Sequence, residues 1–159
     1  MTNALASLLG FLAALGSGLM AGMFFAFSVF VMAALGRLPP DQGIAAMQSI
    51  NIVILNPVFL VVFMGTALLC VALAILSFMR WGDAGTLYVL AGGAFYLIGV
   101  IVVTMAFNVP LNDALAAVDP KSAEGAAAWA RYLGAWTGWN HLRSVCSLAA
   151  LASFVLAGR

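Results

Sequence analysis

The chain has 159 residues, 65% of them hydrophobic and 7% charged, against roughly 45–50% apolar and about 25% charged in ordinary soluble domains. A water-soluble globular domain is thereby excluded and an integral membrane protein is expected. Six Lys and Arg against five Asp and Glu give a formal charge of +1, so the basic excess that grips a nucleic-acid backbone is missing. Nucleic acid is not an expected partner; the lipid bilayer is.

Crossing a hydrocarbon core of roughly 30 Å takes about 20 mainly apolar residues, and four stretches qualify: 5–35, 57–79, 87–107 and 136–156. The first has no basic residue before Leu5 and runs far beyond the roughly 7–15 apolar residues of a signal peptide, so it reads as a retained span. It is longer than a perpendicular crossing needs and should tilt or protrude. Its Gly10, Gly16, Gly18 and Gly22 offer small positions for close helix contact. Pro39-Pro40 breaks it. Ile44 to Asn56 then mixes apolar and polar residues as a helix entering from the interface would, with Asn56-Pro57 as cap or kink. Cys70 and Cys146 lie inside apolar runs, outside any ligand spacing, and read as small buried hydrophobes.

The link 80–85 allows only a tight turn between antiparallel neighbours. The stretch 108–135 is longer and carries Asp113, Asp119, Lys121, Glu124 and Arg131. Within it, Ala123 to Leu133 has the spacing of a short helix lying on the membrane surface. The expected fold is therefore all-α: one domain over 1–159, a four-transmembrane-helix bundle with a short interfacial helix between spans three and four. The expected location is a bacterial inner membrane, as a multi-pass protein. Arg80 and Arg159 on one side nearly balance Arg37, Lys121 and Arg131 on the other, so the positive-inside count leans only towards cytoplasmic termini.

Alternating crossings bring three polar groups to one membrane face: Gln48 with Asn51 and Asn56, Asn108 with Asn112 and Asp113, and Asn140 with His141 and Arg143. Ionisable groups inside a span usually have a job. On span four, Trp136, Asn140, Arg143 and Ser147 share one helical face, with His141 and Ser144 at its edge. Each residue also has a plainer role. Asn108 and Asn112 can cap helix ends around Pro110, Trp136 and Trp139 can anchor an interfacial belt, and Arg143 can snorkel to the interface. His141 can be a base, a ligand or a structural donor. With Asp113 it falls short of a ligand set for zinc or iron, so no metal or other cofactor is expected, although His141 alone leaves haem or metal ligation open.

The run Asn108-Val-Pro-Leu-Asn112, then Trp129, then Trp136-Thr-Gly-Trp139-Asn140-His141-Leu-Arg143 resembles the signature of a family of small four-helix membrane proteins that includes the anthrone oxygenases. Phe24-Phe25-Ala26-Phe27-Ser28 and Met47-Gln48-Ser49-Ile50-Asn51 resemble the same pattern. The resemblance implies O₂-dependent oxidation of an activated methylene in a hydrophobic aromatic substrate to a quinone. Such a carbanion reacts with O₂ by itself, so a base and an oxyanion stabiliser suffice. On this expectation His141 is the base, and Arg143 and Asn140 donate to the oxyanion with Asn108, Asn112 or Asn51. Trp136, Trp139 and Phe27 then form a flat wall. The other expectation is a non-catalytic protein that holds a lipid, quinone or partner helix in the same polar pocket. A homo-oligomer is compatible with both.

Overall fold

The computed structural model describes residues 2–79, 81–83 and 85–158. Arg80 and Arg159, on which the orientation argument leans, lie outside the described residues. Five helices make up the fold: α1 (Ala4–Leu35), α2 (Pro40–Val53), α3 (Pro57–Met79), α4 (Thr86–Ala116) and α5 (Ala123–Ala157). All but α2 are long and apolar enough to cross a membrane. The protein is an all-α bundle with four spans, consistent with a multi-pass membrane protein.

The spans pack as a ring in chain order, α1 on α3, α3 on α4, α4 on α5, and α5 most extensively on α1. Short connections force antiparallel neighbours. Between α3 and α4 the turn passes through Gly82 and Gly85, both at positive φ (100° and 87°). A side chain at Gly85 would also meet the carbonyl of Ala157, 2.8 Å from its Cβ position. Glycine is needed there on both counts. Asn56 joins α2 to α3: its amide donates to Val53 O (3.1 Å) and its oxygen accepts from Phe59 N (3.0 Å), the capping role anticipated for it.

Two helices run longer than expected. The third span continues through Pro110 to Ala116 rather than ending at 107. Proline lacks an N–H and crowds the carbonyl four residues back, and the helix accommodates this by widening into π-helical winding over Leu97–Val102 and Thr104–Asn108. A π-segment absorbs such a mismatch without ending the helix. The surface helix expected over 123–133 does not exist as a separate element. It is the first three turns of the 35-residue α5, started by the Ser122 hydroxyl, which accepts from Gly125 N at 2.9 Å. Trp129 and Tyr132 are buried there against Ile44, Met47 and Leu115 of α2 and α4, so this segment has a packed face and no reason to lie on lipid. The separate short helix is α2, between spans one and two.

Two apolar cores result. One, towards the turn between α3 and α4, contains Phe63, Cys70, Tyr96, Val100, Cys146 and Phe154. The other contains Met32, Ile44, Met47, Leu115, Trp129, Tyr132 and Trp136. Between them lies a belt of buried polar side chains.

Candidate active site

The belt is built on α5. From Trp136 the buried face continues through Asn140, Arg143 and Ser147, the three-to-four residue spacing that keeps side chains on one side of a helix. Arg143 is 5% exposed, and its guanidinium lies over the Phe24 ring at 4.4 Å and near the Trp136 ring at 5.1 Å. One terminal nitrogen donates to Asn140 Oδ1 at 2.8 Å and the other to Thr104 Oγ1 at 3.2 Å. Nε has no partner. Among the described residues no carboxylate pairs with this cation.

Asn140 organises the surroundings. Its amide nitrogen donates to Phe24 O and to Ser28 Oγ, both at 2.7 Å. Phe24 lies one turn before the π-segment Phe27–Val31 of α1, where the regular ladder of backbone bonds changes register and an inserted side-chain donor fits. Ser28 in turn contacts the Ser144 hydroxyl at 3.1 Å. From α4, the amide of Asn108 donates to Trp136 O at 3.3 Å, while its own oxygen is buried and unpartnered, as is the indole nitrogen of Trp136. The Phe27 ring tilts against Trp136 with centroids 5.8 Å apart.

One to two turns along α5, the Tyr132 hydroxyl donates to Asn112 Oδ1 at 2.8 Å, with Asn51 as a second polar neighbour. Gln48 donates to Leu115 O at 2.8 Å and Val118 O at 3.3 Å, tying α2 to the end of α4.

The structure thus brings together Arg143, Asn140, Asn108, Trp136 and Phe27, and places Asn112 and Asn51 beside them around Tyr132. It does not bring His141 or Trp139 to that cluster. His141 is exposed and has no polar partner among the described residues, because one further residue turns it about 100° away from Asn140. Trp139 is half-buried and stacks on Phe107, centroids 3.7 Å apart, a pair on the outside of the bundle. Asn56 and Asp113 are exposed as well. Four contributors were given no site role from sequence: Phe24 and Ser28, which stood only in the run resembling the family pattern, and Thr104 and Tyr132. Tyr132 was legible, since it precedes Trp136 by one turn; Thr104 carried no signal.

The chemistry on offer is oxyanion stabilisation. A buried guanidinium without a counter-ion, two unpartnered N–H donors and one unpartnered amide oxygen are costly in an apolar interior unless something binds them. Two cavities among the described residues lie elsewhere. One of about 730 Å³ sits among Ser7, Gly10, Ser77, Asp83, Thr86 and Phe154, and one of about 340 Å³ is a groove between α1 and α5 along Gly18, Gly22, Ser144 and Leu148. Among the described residues no three His, Cys, Asp or Glu side chains gather.

The sequence profile of the family described as Anthrone oxygenase matches residues 59–153, which takes in α3, all of α4, and α5 as far as Ser153. No curated protein and no solved structure matches the chain. The profile spans well over half of the residues and includes Asn108, Asn112, Trp136, Asn140 and Arg143, and on that ground the chain belongs to the anthrone oxygenase family.

Proposed function

We propose that this protein is a membrane-embedded oxygenase that converts the activated methylene of an anthrone-like, hydrophobic aromatic substrate to a carbonyl at the expense of O₂. The net change is CH₂ + O₂ → C=O + H₂O: four electrons leave the carbon, one oxygen atom stays on it and the other departs as water. The observation that carries this reading is the Arg143 guanidinium, buried between Phe24 and Trp136 with no carboxylate beside it. Loss of a proton from the methylene puts negative charge on the conjugated oxygen. A preorganised cation and N–H donors enclosed by apolar side chains stabilise such an oxyanion far more than bulk water does. Arg143 Nε and Trp136 Nε1 are the free donors, Asn140 holds the guanidinium in place, and Asn108 orients Trp136 through its carbonyl. The stabilised carbanion then reduces O₂ directly, so the reaction as written needs no further group from the protein.

His141 has a different standing. Its outward position separates it from the guanidinium, so we assign the role of proton acceptor to a water molecule at the cluster and not to the imidazole. The test is conversion of an anthrone to its anthraquinone, followed by absorbance and O₂ uptake, in detergent-purified protein. Arg143→Gln should lower kcat roughly 10²–10³-fold, the scale of losing one oxyanion donor, in protein that still elutes as a folded species. Wild-type protein that leaves the anthrone untouched sinks the reading.

A second reading has one observation behind it: Arg143 lines neither of the two cavities described above. In that case the same belt holds a lipid, quinone or partner helix without chemistry. Arg143 variants would then lose folded yield or assembly in proportion to any lost turnover.

A further inference from the structure

We propose that Ser17 and Ser147 hold a short file of water molecules that links the cavity of about 730 Å³ at the Ala157 end of the bundle to the Arg143 guanidinium. Serines within apolar helices ordinarily fold back onto a carbonyl one turn earlier. Ser144 and Ser153 of α5 do so, onto Asn140 O at 2.9 Å and Ala149 O at 2.8 Å. Ser17 and Ser147 do not: both are fully buried, at 0% exposure, and neither hydroxyl has a partner. Buried polar groups left by the protein are the usual seats of internal water.

Their positions give the file a direction. Ser7, Gly10, Ala14 and Ser17 follow one another at three-to-four residue spacing, so they share one face of α1. The first three line the cavity and Ser17 lies about 4.5 Å further along. On α5 the same spacing runs Phe154, Ala150, Ser147, Arg143. Phe154 lines the cavity, Ala150 is a small buried residue, and Ser147 is one turn, about 6 Å, from Arg143. α1 and α5 pack on each other, and Ala14 of the first face and Ala150 and Phe154 of the second belong to one buried cluster. Ala14 and Ala150, the neighbours of the two unpartnered hydroxyls on the side of the cavity, are small and buried, where larger side chains would seal the bundle.

For the reaction proposed above, the file is the exit for the water that O₂ reduction forms; that use rests on the oxygenase reading, whereas the hydration does not. The experiment therefore reads solvent access and not turnover. In a Cys70→Ala, Cys146→Ala background, single cysteines at Ser17, Ser147, Ser77 and Leu148 are exposed to aqueous Ag⁺ in vesicles, and the remaining thiol is counted by maleimide mass labelling. Ser17→Cys and Ser147→Cys should react at least tenfold faster than Leu148→Cys, which lies exposed on the apolar groove between α1 and α5 that opens to lipid. Adding Gly10→Phe or Ala14→Leu, two independent ways to plug the path, should slow Ser147→Cys at least tenfold and leave Ser77→Cys at the cavity unchanged. The proposal is overturned if either buried serine position reacts no faster than Leu148→Cys, or if neither plug slows Ser147→Cys. An inactive but Ag⁺-accessible protein would remove the oxygenase reading alone.

Discussion

Asn140 carries more of the interior than any other polar side chain here, because its three hydrogen bonds join a carbonyl of α1, a hydroxyl of α1 and the guanidinium of α5. Replacing it by leucine keeps the volume and takes a partner from all three, of which the Ser28 hydroxyl keeps another, in Ser144. Each buried group left unpaired costs about 1–3 kcal/mol, so Asn140→Leu should lower unfolding free energy by roughly 3 kcal/mol or more, measured by denaturant titration in a fixed detergent. His141→Ala is the matched control on the next residue. An exposed side chain with no partner should shift stability by no more than about 0.5 kcal/mol, and on the mechanism above it leaves turnover intact. The pair also shows what residue spacing can tell. Trp136, Asn140, Arg143 and Ser147 were legible as one face because their spacing is helical. His141 was assigned to the edge of that face, but at about 100° per residue it lies more than 90° from the face's centre. Thr104, and the contact that Phe24 makes with Arg143, were beyond sequence, because they depend on which turn of one helix meets which turn of another.

At the scale of elements, close approach is decided by a few glycines, and not by all of those that sequence suggested. A Cβ on Gly99 would collide with the Cys146 side chain, and one on Gly16 with the Thr66 hydroxyl; Gly22 has nothing within 4 Å. Gly99→Ala should therefore be destabilising, by roughly 1–3 kcal/mol as overpacking typically is, with much of the loss recovered by adding Cys146→Gly. Gly22→Ala should be neutral or stabilising, by up to about 1 kcal/mol of helix propensity. Thermal melts of the three variants decide it; equal losses at Gly99 and Gly22 would refute the packing argument. Helix number and order were legible from apolar run length. Helix ends were not. Pro110 was taken as a stop, whereas π-winding carries α4 past it, and a separate surface helix was expected over 123–133 ahead of the span from Trp136, whereas α2 buries the Trp129 and Tyr132 side of that segment and it continues α5 without a break. Both outcomes depend on neighbours, which a local pattern does not contain.

The whole molecule is longer than a bilayer is thick. At 1.5 Å per residue, α5 extends roughly 50 Å and α1 and α4 nearly as far, while the 23-residue α3 at about 35 Å comes close to the hydrocarbon span. The excess falls at the end where α2 packs against α4 and α5, so the core of Met47, Leu115, Trp129 and Tyr132 forms a cap at or beyond the interface. Arg143 then lies about 21 Å inside the Ala157 end of α5, within the hydrocarbon and shielded by protein. Four antiparallel spans place the Trp81–Gly82 turn and Gly158 on one side and the residues around Pro39 and Lys121 on the other. Membrane-impermeant maleimide applied to sealed vesicles of each orientation tests this directly. Trp81→Cys and Gly158→Cys should label from one side only, and Lys121→Cys only from the opposite side, with the native cysteines silent because both are buried. If the Arg80 and Arg159 positions set the orientation, the first pair is cytoplasmic. Labelling of Lys121→Cys and Gly158→Cys from the same side would mean that α5 does not cross. A bound guanidinium at mid-depth, and the reaction argued for it, would then lose their physical basis.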